Sequence, residues 1–451
     1  MPKLRNVLKG EVLAPDDPGY DEARAVYYGI DRRPAVIVRA ADADEVAYVV
    51  AIARDTGMEL AVRSGGHSLS GHSVSDGGIV LDLSRMRAVH IDVDQRTVWA
   101  QTGLTAGELT AAVGAHGLAI GFGDSGEVGI GGITLGGGVG FLVRKHGLTI
   151  DSLLAAEVVT ADGRVHRVDA GNEPELFWAL RGGGGNFGVA TRFQFALHPV
   201  DAIIGGMLML PATPDVIRSF VQLADAAPDE LSTIANIMPA PPMPYVPEDQ
   251  HGRPVILGLM VYAGDPEAGE EVIAPFRALA TPIADMLAPM RYPEIYELLG
   301  EGGGPMPAGI VVRSMFVDGI DRDAADAIIE HIEGSTAMMT VTQLRVLGGA
   351  AARVPDEATA FAHRGRKVMA NVAAMFGDPA EIDLHTTRAE ALAGVLKRGA
   401  TGVYVNFLGD EGESRVREAY PGPTWDRLRA VKRRYDPTNL FRLNQNIPPA
   451  S

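Results

Sequence analysis

The chain has 451 residues, 46% hydrophobic and 22% charged, ordinary proportions for a globular protein long enough for two or three domains. A formal charge of −17 argues against nucleic acid and anionic membrane as partners, because both need a basic face. The absence of cysteine excludes disulfides, thiolate metal sites and a cysteine nucleophile.

Any phosphate-bearing ligand must therefore be held by backbone N–H groups and a few local arginines. The N-terminal stretch "MPKLRNVLKGEVLAPDDPGY" carries charges throughout and lacks an apolar signal core, and no apolar run is long enough to span a bilayer. A cytoplasmic location is expected; oligomeric state leaves no mark in the sequence.

In chain order, "AVIVRAADADEVAYVVAIARDTGMELAV" predicts strand, helix, strand. Asp42 and Glu45 form a capping box, Val46, Val49, Val50 and Ala53 make one helical face, and Gly57 ends the helix. "RSGGHS" (Arg63–Ser68) then falls at the carboxyl end of a strand, where α/β folds commonly bind ligands. "GGIVLDLSRM" predicts another buried strand, and "VHIDVDQRTVWAQTG" has hairpin-like alternation. Thr105 and Glu108 cap a helix running to about His116, ahead of a glycine-rich block, Gly121–Gly140. "LLAAEVVTADGRVHRV" predicts a hairpin turning at Asp162–Gly163, and "EPELFWALRGGGGNFGVATRFQFALHPV" a helix, a glycine loop and an alternating strand. Beyond about Val200 the texture changes to strands such as "PVILGLMVYAG", the helices Pro214–Ala226 and Arg322–Glu333, and proline-rich loops. This predicts a second domain, a sheet with helices on one face. Near the end, "GVYVNFLGD" predicts a strand, "PTWDRLRAVKRRYDP" a helix, and "TNLFRLNQNIPP" a tail.

Glycine is abundant (54 residues) and clustered, at Gly65–Gly66, Gly121–Gly140, Gly182–Gly188 and Gly302–Gly304, as expected where backbone approaches a ligand closely. "GFGDSG" and "GGGNFG" both satisfy G-x-G-x-x-G, but neither follows a strand and opens a helix, so a Rossmann site is rejected. No Lys-Ser/Thr follows "GGITLGGGVG", which rejects a P-loop. His67, His72 and Asp76 lack a recognised metal-ligand spacing.

"RSGGHS", "VGIGGITLGGGVG", "ELFWALRGGGGNFG" and "YDPTNLFRLNQNIPP", in that order, make the chain resemble the berberine bridge enzyme-like branch of the vanillyl-alcohol oxidase flavoproteins over nearly its full length. The resemblance implies an α+β fold with a PCMH-type FAD-binding domain formed from both chain ends, residues 1–200 and 401–451. A substrate domain with an antiparallel sheet and helices, residues 201–400, is then inserted between them. It implies FAD cradled by glycine loops that include Arg63, Ser64, Gly65, Gly66, Ser68, Val128, Gly129, Gly131, Gly132, Gly136 and Gly138, since N–H groups reach phosphate oxygens only where no Cβ intervenes. It also implies an 8α-histidyl bond through His67, whose neutral imidazole is a competent nucleophile near pH 7. Many relatives add a second bond from a cysteine; Ser125 stands at that position, so His67 is expected to be the only tether.

The family motif Y-x-N-Y, whose second tyrosine often acts as base, matches "YVNF", leaving Tyr404, Asn406 and the proton-less Phe407. Asn444 and Asn446 resemble tail asparagines that contact the flavin. "RVPDEATAFAHR" resembles a stretch near the substrate cavity, which makes His363 and Arg364 site candidates and, with Tyr404, makes His363 a candidate catalytic residue. His72 is expected to be a plain loop histidine, and Tyr292 and Tyr296, at helical spacing, to be core. The expected reaction is hydride transfer from a C–H next to O or N of a small alcohol, sugar, amine or secondary metabolite to flavin N5. Dioxygen is the expected final acceptor, with a dehydrogenase using another acceptor as the alternative.

Overall fold

A computed structural model describes residues 2–200, 202–298 and 309–451; the glycine cluster Gly302–Gly304 lies outside the described residues. The first layer is a small sheet in which Val36–Arg39 and Leu60–Arg63 flank Ile79–Asp82 in parallel, with Glu11–Leu13 antiparallel at one edge. The helix Ala43–Thr56 covers it with the predicted apolar face, and Gly57 ends the helix at φ 68°. Asp42 caps this helix as expected, but the Glu45 carboxylate reaches past it to the N–H groups of Ala41 and Gly10, at 2.8 and 3.1 Å. The predicted box has become a staple for the N-terminal segment. The second box is complete: Thr105 Oγ1 accepts from Glu108 N at 3.3 Å, and Glu108 accepts from Thr105 N at 3.0 Å.

A five-stranded antiparallel sheet follows, ordered Val89–Asp92, Thr97–Gln101, Val189–Ala196, Leu153–Val159, Val165–Asp169. Its core joins Phe193 and Phe195 to Trp178 and, from the far end of the chain, to Tyr420, Trp425 and Leu428. One hydrophobic core thus joins residues of the first two hundred to the C-terminal segment.

The middle of the chain forms a separate antiparallel sheet. Ile203–Pro211, Pro254–Tyr262, Leu231–Pro239, Met339–Val346, Val368–Phe376 and Gly309–Val317 pair in that order, with Ala284–Asp285 and Ala288–Met290 beside the first. The helices Pro214–Ala226, Pro266–Arg277, Arg322–Glu333 and Ile382–Lys397 bury one face of it. The other face packs on the first half of the molecule, through Phe141, Leu142, Tyr292 and Tyr296 on one side and Val139, Phe316, Phe361 and Tyr404 on the other. Tyr292 and Tyr296 are core residues as expected, though the helix there covers only Glu294–Leu298.

One predicted element is different. "GVYVNFLGD" is not a strand: Val405–Phe407 is a single 3-10 turn. Its local bonds, Phe407 N to Tyr404 O at 3.0 Å and Leu408 N to Val405 O at 3.3 Å, replace ladder pairing. Side-chain anchoring of Tyr404 and Asn406 on the glycine block outweighs the β-propensity of the apolar run.

Candidate active site

At the end of Leu60–Arg63 the chain turns into "SGGHS", and the Gly121–Gly140 block comes to meet it. A Cβ on Gly65 would lie 2.3 Å from Gly129 N, and one on Gly129 would lie 2.2 Å from Gly65 N, so the two backbones touch where only glycine fits. Ser64 Oγ fastens the pair, donating to Thr102 O at 2.5 Å and accepting from Gly131 N at 3.2 Å. Between these loops and the middle sheet lies a cavity of about 340 Å³. Ser64, Gly65, Gly66, His67, Ser68, Ser125, Val128, Gly129, Gly131, Gly132, Tyr404, Asn406 and Asn444 all line it. Gly132, one of these lining residues, has open space where a Cβ would stand, with no protein atom within 4 Å. A cradle of bare backbone that a side chain would fill fits an extended nucleotide cofactor such as FAD.

His67 lies against Tyr27, ring centroids 4.1 Å apart and 22° from parallel. Burial pushes its pKa down to about 4, which keeps the imidazole neutral and nucleophilic at pH 7. His72 is a loop residue as expected, and the loop, passing through Gly71 at φ 68°, also brings it to the cavity lining. Burial, aided by the Arg32 cation, takes it to about 4 as well.

The C-terminal tail completes the cradle through a fully buried ion pair, Lys432 Nζ to Asp436 at 2.7 Å. Asp436 also accepts from the N–H groups of Leu440 and Phe441, and Lys432 donates to Asn186 O at 2.8 Å. Asn186, in the glycine loop Gly182–Gly188, donates to Gln445 O at 3.0 Å and accepts from Ile447 N at 3.0 Å. Asn444 Nδ2 donates to Gly185 O at 3.1 Å. Tail and glycine loop are thereby one unit.

On the opposite wall, the Tyr404 hydroxyl accepts from Gly138 N at 2.9 Å and from Asn406 Nδ2 at 2.8 Å. Both donors hold its oxygen, so its own O–H is left to point elsewhere. Burial raises the phenol pKa, and these two hydrogen bonds oppose the rise. Phe407 packs edge-on to Tyr404 at 5.3 Å, with the Arg345 guanidinium 5.2 Å over its ring. Arg345 is buried and pairs with Asp124, the one carboxylate lining the cavity among the described residues; it also donates to Val139 O at 3.0 Å and to Gln343 Oε1 at 2.9 Å. Two residues back on the same sheet face, Gln343 belongs to a polar row in register across four strands, Ser314–Asn371–Gln343–Asn236. Gln343 donates to Asn236 at 2.9 Å and accepts from Asn371 at 3.3 Å.

Six predicted residues do not line the cavity. Arg63 turns away to Asp82 at 2.7 Å, because a strand-end guanidinium facing a buried carboxylate is held there. Gly136 and Gly138 serve close packing instead: a Cβ would lie 2.0 Å from Asn406 Oδ1 or 1.9 Å from Thr149 Oγ1. Asn446 is turned inward, its Oδ1 buried without a partner. His363 is structural, its Nε2 facing Glu418 O at 3.0 Å and its ring against Phe316, while Arg364 is locked bidentate on Asp151 at 2.7 and 2.8 Å. Sequence reasoning missed Tyr27, Tyr28, Asp124, Asn186, Arg345 and Gln445. Asp124 and Asn186 sat inside glycine motifs already singled out; Arg345 is one arginine in an ordinary strand and gave no signal.

The FAD binding domain family matches residues 34–169, and the family described as berberine and berberine like matches residues 403–448. (R)-6-Hydroxynicotine oxidase from Paenarthrobacter nicotinovorans is 32% identical, over 98% of this chain and 97% of its own. The chain belongs to the berberine bridge enzyme-like FAD-linked oxidoreductases. An uncharacterized FAD-linked oxidoreductase of Bacillus subtilis is 29% identical over 98% of this chain and 97% of its own. The crystal structure of 6-hydroxy-D-nicotine oxidase from Arthrobacter nicotinovorans superposes with a TM-score of 0.86, at 29% identity and 98% coverage of both chains. The berberine bridge enzyme-like fold, α+β with its FAD-binding part drawn from both ends, is the architecture described above, and the protein is an FAD-dependent oxidoreductase.

Proposed function

We propose that this oxidoreductase is an oxidase for a small organic amine or alcohol, with FAD bonded to His67 alone and dioxygen as the final acceptor. The observation that carries this is the convergence of a neutral His67 from the first glycine loop and the Tyr404–Asn406 pair from the last segment on one cavity. With no cysteine in the chain, Ser125 at the cavity cannot form a second bond. FAD, when bound, supplies the two-electron acceptor. Phe407 cannot take a proton, and the cavity's Asp124 is held by Arg345. A substrate whose donor carbon adjoins a neutral amine nitrogen needs no base, since the nitrogen lone pair stabilises the cation left by hydride loss. An amine therefore suits this wall better than an alcohol, and the amine-containing substrate in the name of the 32%-identical relative agrees. The Tyr404 O–H, fixed by Gly138 and Asn406, is placed to hold an oxygen or nitrogen of the substrate, and Gln343 braces the Arg345 guanidinium at the same cavity.

The test is peroxide formation by purified holoprotein on a panel of secondary amines, alcohols and oligosaccharides. Stoichiometric hydrogen peroxide with an amine is expected. Flavin bleaching under argon that air does not reverse would instead identify a dehydrogenase.

A further inference from the structure

The segment after the helix Tyr20–Arg24 is fastened to the first glycine loop at successive points. Arg63, itself fixed by Asp82, donates to the carbonyls of Ala23 and Ala25. Two residues further on, Tyr27 N donates to Gly66 O at 3.2 Å. Gly66 adopts φ 77°, which turns His67 back toward this segment. The Tyr27 ring then covers one face of the His67 imidazole at 4.1 Å, and Tyr28 meets Tyr27 edge-on at 5.0 Å.

We propose that Tyr27 is the positioning residue for flavin attachment: held by the Arg63 latch, its ring sets the plane of the His67 imidazole. The inference rests on the His67 tether proposed above. An imidazole side chain has two rotatable bonds, and its nucleophilic lone pair lies in the ring plane. Stacking one face removes the rotational freedom while leaving the edge, and so the lone pair, open to the cavity. In the attachment reaction the imidazole nitrogen forms a bond to the 8α carbon of the flavin, and nitrogen and carbon each lose one proton. The two electrons and two protons pass to dioxygen as hydrogen peroxide, so atoms and electrons balance. The contact is ring on ring, and no hydrogen bond joins the Tyr27 hydroxyl to His67 among the described residues, so the phenyl ring should suffice. The role assigned to Arg63 also explains why that residue, expected at the cofactor, stands behind it.

Tyr27 is 39% exposed, so its replacement should leave the fold intact. Apoprotein made in a riboflavin-starved host is mixed with FAD, and covalent flavin is read over time as in-gel fluorescence after denaturation, alongside total flavin bound before it. Tyr27→Ala should attach the FAD it binds about five- to tenfold more slowly, scored as covalent over total bound flavin, the rate equivalent of one stacked ring pair. Tyr27→Phe should attach it at the wild-type rate. Attachment by Tyr27→Ala at the wild-type rate, or slowing in Tyr27→Phe as well, would overturn the proposal. Retention of fluorescence by His67→Ala, or its loss from denatured wild type, would instead overturn the His67 tether itself. Those two proteins are read without reference to Tyr27, so the two failures are distinct.

Discussion

On the cofactor side of the cavity the chain presents backbone: Gly65 against Gly129, the open Gly132, the loop Gly182–Gly188 tied down by the tail. On the facing side the middle sheet presents a side chain, Arg345, paired with Asp124 of the glycine-rich block and braced by Gln343. Backbone recognition tolerates no added carbon, whereas side-chain recognition can be rebuilt one residue at a time. The family can therefore keep its cofactor while its members differ in what they oxidise.

The largest effect should come from placing a side chain in the cradle. Gly129→Val is expected to cost about 2–3 kcal/mol of stability through overpacking and to abolish flavin content, read as absorbance of the purified protein. Gly132→Ala separates the two roles: its methyl meets no protein atom at a residue lining the cavity, so apoprotein melting should hold while flavin occupancy falls. Equal melting losses in both variants would erase the distinction between packing glycine and cradle glycine.

Next comes the facing wall. Arg345→Met leaves Asp124 without its cation and should lower kcat/KM about a hundredfold, on the order of 3 kcal/mol of transition-state stabilisation, at unchanged flavin content. Loss of flavin together with activity would mean that the two walls are not independent.

The smallest effect should not discriminate between the halves. His72 beside the cradle and His331 under the middle sheet are both pushed down to about 4, chiefly by burial. The unfolded chain takes up these protons below its ordinary pKa near 6.5, and the folded chain does not until about 4. Their stabilising contribution is therefore complete above pH 6.5 and is lost as pH falls from 6.5 to 4, on the order of 1–3 kcal/mol per residue. Melting temperatures across that window should fall, and His331→Gln should flatten the slope.

The same contrast accounts for what the sequence made legible. Gly65 and Gly129 were visible because only glycine fits where their backbones touch, and His67 because it sits beside them. The parallel strands around Ile79–Asp82 and the helix Pro214–Ala226 were readable from apolar runs, caps and period. Arg345 was not, because its meaning comes from pairing across the interface with Asp124, far away in the chain. Arg63 and His363 were misplaced for a related reason: adjacency to a motif does not say which way a side chain points, and each found a buried acceptor on its other side. "GVYVNF" was misread as a strand because its conformation is set by the glycines it docks on.

The buried Lys432–Asp436 pair has a consequence for how the site is held together. It organises the tail that grips Asn186 and Gly185, so that Lys432 fastens a loop 246 residues earlier in the chain. Proteolytic removal of the residues from 432 onward would leave that loop without its clasp, while the first glycine loop and the Gly121–Gly140 block stay in place.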